Sequence, residues 1–196
     1  MRNKLKEIQK IEKEVLNLKK SPLYKYRTKN NYLPVIGEGS YDSKFVFVGE
    51  APGRNEAKTG KPFCGAAGKI LDELLAEVKI KRDNVYITNI VKDRPQENRD
   101  PTPKEIKIYG PFLDRQIEII KPKVIVTIGR YAMIYILKKY GIEPETIGKA
   151  HGKAYDAETK FGPIKIVALY HPCVAIYNRK TLDLLKHDIK TLKRYS

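Results

Sequence analysis

Apolar positions divide the chain into two kinds of segment. Over residues 1–20, Leu5, Ile8, Ile11, Val15 and Leu18 recur at steps of three or four, with Lys and Glu between them. That period predicts an amphipathic helix, and Ser21-Pro22 stops it. A second helix starts near Ala66 and carries Ile70, Leu71, Leu74, Leu75 and Val78. Thr102-Pro103 followed by Glu105 reads as a helix start, with a cap, a proline in the first turn and an acid behind it; that helix runs to about Ile120. Further helices are expected over Tyr131–Tyr140 and Leu182–Leu192. Elsewhere the apolar residues are contiguous, at Phe45–Val48, Val85–Thr88 and Val124–Ile128. Short, β-branched and aromatic runs of this kind predict strands covered on both faces. His151–Tyr155 and Ile164–Leu169, joined across Gly162-Pro163, predict an antiparallel pair. Residues 22–44 read as loop, with a basic patch at Lys25, Arg27 and Lys29, and Lys92–Pro103 as a second loop.

Strands alternating with helices imply an α/β fold with a mostly parallel sheet between helical layers. No repeat or low-complexity tract interrupts the 196 residues, so one domain over 1–196 is expected, with its N-terminal helix at about 1–20. Glu50, Asn89 and His171 each follow the end of a different apolar strand. In a parallel sheet those ends share one edge, the edge where open α/β sheets bind ligands. Gly49, Pro52 and Gly53 turn the chain sharply at that point.

Composition narrows the partner. Hydrophobic residues make up 41% of the chain, enough for a packed core. No apolar run approaches a membrane span, and the charged N-terminus has no signal-peptide core. Two cysteines, Cys64 and Cys173, make neither a disulfide framework nor a metal site; they fit a reducing cytosol and are expected to be buried free thiols flanking the crevice. The net charge is +16. A Lys/Glu-balanced surface of the thermophile kind does not explain 39 basic against 23 acidic residues, and a polyanionic partner such as nucleic acid does.

The candidate residues suit a nucleobase. An Asn amide sets donor beside acceptor, matching O4 and N3–H of uracil in one orientation and the edge of cytosine in the other. Phe63 offers a ring for stacking, His171 a donor to an oxygen gaining charge, and Glu50 a carboxylate to orient water or offset positive charge on a sugar. Each also has a plain structural role: Asn89 as turn former, Phe63 as core, His171-Pro172 as a turn, Glu50 as a helix cap. A nucleotide-binding doubly wound protein is a further alternative, but GEAPG fits neither a dinucleotide fingerprint nor a P-loop.

The segments GEAPGRNE, GKPFCGAAG, YITNIVK, RPQENRDPTPKEI, KPKVIVTIGRYA and the HP motif, in this order, resemble the family 4 uracil-DNA glycosylases of thermophilic bacteria and archaea. The similarity runs from about Pro22 to the end. It implies a three-layer α/β/α fold with a central four-stranded parallel sheet, and removal of uracil from DNA to leave an abasic site. It implies Glu50 and His171 as catalytic residues, with Gly49, Ala51, Glu56, Phe63 and Asn89 around uracil; Glu56 would exclude a thymine methyl group. Candidate DNA contacts are Arg94, Arg99, Arg130, Arg179 and Lys180, with Val174 and Ile176 as a duplex wedge or as core. The resemblance further implies a monomer acting on single- or double-stranded uracil-containing DNA, in the cytoplasm and at the nucleoid of a prokaryote, an archaeon by type. The family carries an iron–sulfur cluster on four cysteines. At those positions stand Leu18, Ser21, Asp93 and Tyr109, so no cluster and no other cofactor is expected, with Leu18 and Tyr109 packed apolarly and Ser21 and Asp93 hydrogen-bonded. Ala57 stands where the family has a further acid. The Arg-rich, His-bearing insert of the cross-linking branch is missing, which points to turnover. A non-catalytic DNA-binding relative is the competing reading.

Overall fold

The computed structural model describes residues 2–176 and 178–195. Along the chain run α1 (Arg2–Leu16), α2 (Tyr24–Lys29), β1 (Glu38–Gly39), β2 (Phe45–Gly49), α3 (Arg54–Thr59), α4 (Ala66–Glu77), β3 (Tyr86–Asn89), α5 (Pro103–Ile120), β4 (Val124–Ile128), α6 (Arg130–Lys139), α7 (Ile147–Ala150), β5 (Ala154–Thr159), β6 (Gly162–Leu169) and α8 (Arg179–Ile189).

The strands form one sheet in the order β1-β3-β2-β4-β6-β5. The four central strands are parallel, and β1 and β5 add antiparallel edges. The four-stranded parallel sheet expected from the resemblance is therefore the middle of a six-stranded one. Strand β2 shows why its sequence is continuously apolar. Phe45 and Phe47 face one way, into a core shared with Leu71 and Leu74 of α4 and Leu185 and Ile189 of α8. Val46 and Val48 face the other, against Leu113 and Ile117 of α5 and Met133 and Ile136 of α6. Alternation along the strand thus feeds two cores at once, and the three layers follow.

A third cluster seats α1 on α5 through Ile8, Ile11, Val15, Tyr109 and Phe112. Here α1 is shorter than its apolar period: it ends at Leu16, Leu5 is exposed, and Leu18 is buried beyond the helix end. The reading of 22–44 as loop is corrected by α2 and β1, elements of six and two residues, too short to show a period. Strand β5 starts at Ala154, three residues later than expected, because Ile147–Ala150 is helical and His151 turns to put Nδ1 2.8 Å from Asp188. The start of α5 is as read: Thr102 Oγ1 accepts from the Glu105 amide at 3.2 Å, and Glu105 accepts from the Thr102 amide at 2.8 Å, a reciprocal cap.

Candidate active site

The parallel strands β2, β3, β4 and β6 end on one edge, and a cleft of about 500 Å³ opens beside it, within the roughly 300–1,000 Å³ of small-ligand sites. Glu50, Phe63, Asn89 and His171 all line it. Residues up to 121 positions apart in the chain therefore meet where the strand-end argument puts them.

The strand ends of β2 and β3 build the floor. Gly49 pairs with Asn89 across the two strands. A side chain at Gly49 would place its Cβ 2.8 Å from the Phe63 ring and closer still to Asn89 Oδ1, so glycine is what lets amide and ring come together. Asn89 is 2% exposed. Its main-chain carbonyl accepts from Lys92 Nζ at 2.6 Å, while its side-chain amide has no hydrogen-bond partner among the described residues. Such a group is expensive to bury, and this one lines an open cleft. Phe63 sits in the left-handed region at φ 48°, its carbonyl received where Gly68 has no Cβ. Its ring stacks toward His171 with centroids 5.7 Å apart and planes at 29°.

Burial sets the charge of two groups. It raises the Glu50 carboxyl above the ordinary glutamate range; the Tyr131 amide, 3.1 Å from Oε1, pulls back down, Asp100 pushes up and Arg130 pulls down. Glu50 thus also caps the first turn of α6, where helix amides favour an anion, and Gly129, at φ 94°, keeps that approach open. His171 is pushed down to about 4 by burial. Its Nδ1 accepts from the Cys173 amide at 3.2 Å, so the proton of the neutral ring is on Nε2. Glu56 accepts from the Gly65 amide at 3.3 Å and ties together the two turns of the cleft wall; Ala51 lines the same wall. The thiols Cys64 and Cys173 are free but exposed, against the expectation of burial, and only Cys173 lines the cleft.

The model of the uracil DNA glycosylase superfamily matches residues 36–193, which hold the whole sheet and every cleft residue. The chain belongs to that superfamily. Among its relatives, the type-4 uracil-DNA glycosylase of Archaeoglobus fulgidus is 43% identical over 182 residues, 93% of this chain and 89% of its own length. That of Sulfurisphaera tokodaii is 46% identical over 187 residues, 95% and 83% of the two chains, and that of Thermotoga maritima 42% over 163 residues, 82% of each.

Within this type-4 glycosylase chain, Leu18, Ser21, Asp93 and Tyr109, which replace the cluster cysteines of the resemblance, are all buried and close together. Ser21 Oγ donates to Tyr109 OH at 2.7 Å, and Tyr109 OH donates to Asp93 Oδ2 at 2.6 Å. Arg27 Nε reaches the same oxygen at 3.1 Å and its Nη2 the carbonyl that ends α1, Leu16, at 2.7 Å. Leu18 packs in the same cluster as Tyr109. A hydroxyl, a phenol, a carboxylate and an aliphatic chain with an arginine among them do not fit an iron–sulfur cluster, which thiolates hold. The expectation for Tyr109 needs correcting: its ring packs apolarly, but its hydroxyl is the centre of the network.

The DNA-contact candidates separate. Arg94 is 9% exposed and bonds Asn98, Tyr26 and Tyr32 inside the protein, so the reading of it as a phosphate contact is withdrawn. Arg99 grips Glu105 at 2.6 and 3.0 Å on the cleft rim. Arg130 is exposed beside Asp100 and Tyr131. Lys180 is exposed in the first turn of α8, while the Arg179 side chain lies outside the described residues. Val174 is 44% exposed and Ile176 lines the cleft, so neither is core. Sequence reasoning missed Lys92, Asn98 and Asp100; Lys92 gave one faint signal, a cation directly after the apolar pair Ile90-Val91.

Proposed function

We propose that this protein is a monofunctional uracil-DNA glycosylase that hydrolyses the N-glycosidic bond of uracil in DNA, leaving an abasic site for base excision repair. The observation that carries this is the Asn89 amide, unpartnered among the described residues and open to the cleft beside the Phe63 ring, on a residue only 2% exposed. It is a donor–acceptor pair awaiting a planar ligand with the complementary edge. Uracil, turned out of the stack, lies on Phe63 with O4 on the Asn89 NH₂ and N3–H on its carbonyl. Glu56, Gly49 and Ala51 close the wall around it.

As C1′–N1 breaks, the bonding pair leaves with the base. Nε2–H of neutral His171 donates to O2, where the charge gathers. Glu50 offsets the positive charge left on the sugar, orients the water whose oxygen adds to C1′ and takes the proton that water gives up; the departed uracil anion recovers a proton from solvent. Both electrostatic demands are met by side chains, and the donor set at the family's cluster positions suits no iron–sulfur group, so the reaction is assigned no cofactor. Arg99, Arg130, Arg179 and Lys180 supply phosphate contacts. The ion pair of Arg130 with Asp100 is exposed on both sides and screened by water, so phosphate can displace it. Val174 and Ile176 fill the space the base leaves. The chain works as one domain and a monomer, on single- or double-stranded DNA, in the cytoplasm; no helix among the described residues is long and apolar enough to cross a membrane.

An excision assay on a uracil oligonucleotide tests this with Asn89→Asp. The substitution keeps the shape but replaces the donor by a second acceptor, a mismatch of roughly 1–3 kcal/mol or more. Excision is expected to fall at least about tenfold, the equivalent of 1.4 kcal/mol. A folded variant cutting at the parental rate would remove Asn89 from base reading.

A further inference from the structure

Lys92 has no place in the mechanism above, and its surroundings are unusual. It is 0% exposed, close behind the end of β3. Its Nζ lies 2.8 Å from Thr88 Oγ1, 2.6 Å from the Asn89 carbonyl oxygen and 2.5 Å from Gln116 Oε1. The protons of these partners go elsewhere. The Thr88 hydroxyl donates to the Ile36 carbonyl at 2.6 Å. Gln116 Nε2 donates to the same carbonyl at 2.9 Å and to Tyr86 OH at 3.0 Å, which fixes which end of that amide faces the lysine. Three acceptors around one nitrogen call for three N–H donors, and only an ammonium has them. Burial works against that charge and pushes the lysine well below its ordinary range, with Asp114 the opposing influence.

A core built for stability alone is served as well by apolar groups of the same volume. What an apolar group cannot do is hold a carbonyl. Asn89 is the last residue of β3, and beyond it the chain departs through the Ile90 and Val91 amides, which bond the Gly49 and Glu50 carbonyls at 3.0 Å. With no partner for its side-chain amide, Asn89 is oriented by its main chain and by the crowding of Gly49 and Phe63. Among the described residues, the 2.6 Å bond from Nζ is the one side-chain hydrogen bond to that main chain.

We propose that Lys92 is a positioning residue for base recognition: its Nζ, anchored on Thr88 and Gln116, fixes the Asn89 peptide and so aims the unpartnered amide into the cleft. The proposal rests on Asn89 being the base-reading residue, and the test separates the two. Excision kcat/KM on a uracil oligonucleotide is measured for Lys92→Met, for Asn89→Ala and for the double variant, with affinity for the same DNA lacking uracil as the control. Each single substitution is expected to lower kcat/KM at least about tenfold while uracil-free DNA binds as before. In the Asn89→Ala background, Lys92→Met should then lower it less than about twofold, because contacting groups that act together are not additive. An equal loss in both backgrounds makes Lys92 a structural residue only and overturns the proposal. A null effect of Asn89→Ala overturns the reading beneath it. Should Lys92→Met not fold, Gln116→Met removes one anchor from a residue outside the cleft and is put through the same cycle. Its loss is expected to disappear with Asn89→Ala, and additivity there overturns the proposal.

Discussion

Lys92 and Asp93 are neighbours in the chain, both fully buried and both ionisable, yet they are built into the molecule in different ways. Lys92 meets acceptors from β3 and α5, one for each of its protons. Asp93 meets donors from α2 and α5, and all of them crowd onto Oδ2; Oδ1 has no partner among the described residues. Burial accordingly raises the Asp93 carboxyl, with the Tyr109 hydroxyl and Arg27 pulling it back. The Lys92 cage bears on one carbonyl at the cleft. The Asp93 network joins the end of α1, α2 and α5, and does so with an oxygen left over. A polar group buried to aim something is enclosed on every side; one buried to fasten segments together tolerates an incomplete shell.

The largest effect should come from breaking the fastening. Asp93→Leu strands Arg27 in the interior, and losing one partner of a buried pair costs about 3–5 kcal/mol. Denaturant unfolding should show that loss, with most of it recovered in Arg27→Met/Asp93→Leu. A double variant no more stable than the single one would mean that the ion pair is not the fastening. Tyr109→Phe is the milder cut: Ser21 and Asp93 each lose a partner, for roughly 1–3 kcal/mol. Excision by the folded Tyr109→Phe variant should match the parent's, and a specific loss of activity would merge the two regions that the comparison separates.

The cleft has its own ionisable group in the half-buried His171, and pH exposes it. Its folded value near 4 lies below the 6.5 of a free imidazole, so the unfolded chain binds the proton first. Stability should fall as pH drops from 6.5 toward 4, and His171→Leu should flatten that slope in urea midpoints taken across the window. An unchanged slope would place the acid sensitivity elsewhere. In the same range Glu50, raised by burial, should set an acid limb of kcat/KM above pH 4.5. The smallest effect concerns the thiols. The bond from residue 173 to His171 comes from its main chain, so Cys64→Ala/Cys173→Ala should leave excision within about twofold, the usual reach of a surface change. A dead but folded double variant would give the thiols a role that the geometry does not.

The sheet was legible because its strands are buried on both faces and say so in every residue, as β2 does. The start of α5 was legible because a capping box is local. The meeting of Glu50, Asn89 and His171 followed from parallel strand ends alone. Other features depend on distance. Arg94 looks like any loop arginine until Tyr26 and Tyr32, 68 and 62 residues away, close over it. Helix α3 has six residues between Gly53 and Gly60, fewer than two turns, and no periodicity survives at that length. Lys92 is hidden by its own type, since a lysine in a basic chain reads as surface, and only Gln116 on α5 and the Ile36 loop reveal the cage.

Gly49 has a genetic reading as well. Every missense change in its codon adds a β-carbon, and the space for one is already taken by Asn89 Oδ1 and the Phe63 ring. Even alanine, the smallest newcomer, requires one of those two side chains to move. One nucleotide change in this codon is therefore enough to push the Asn89 amide or the Phe63 ring out of the place it holds in the cleft. The trace to look for in such an allele is uracil left behind in the DNA.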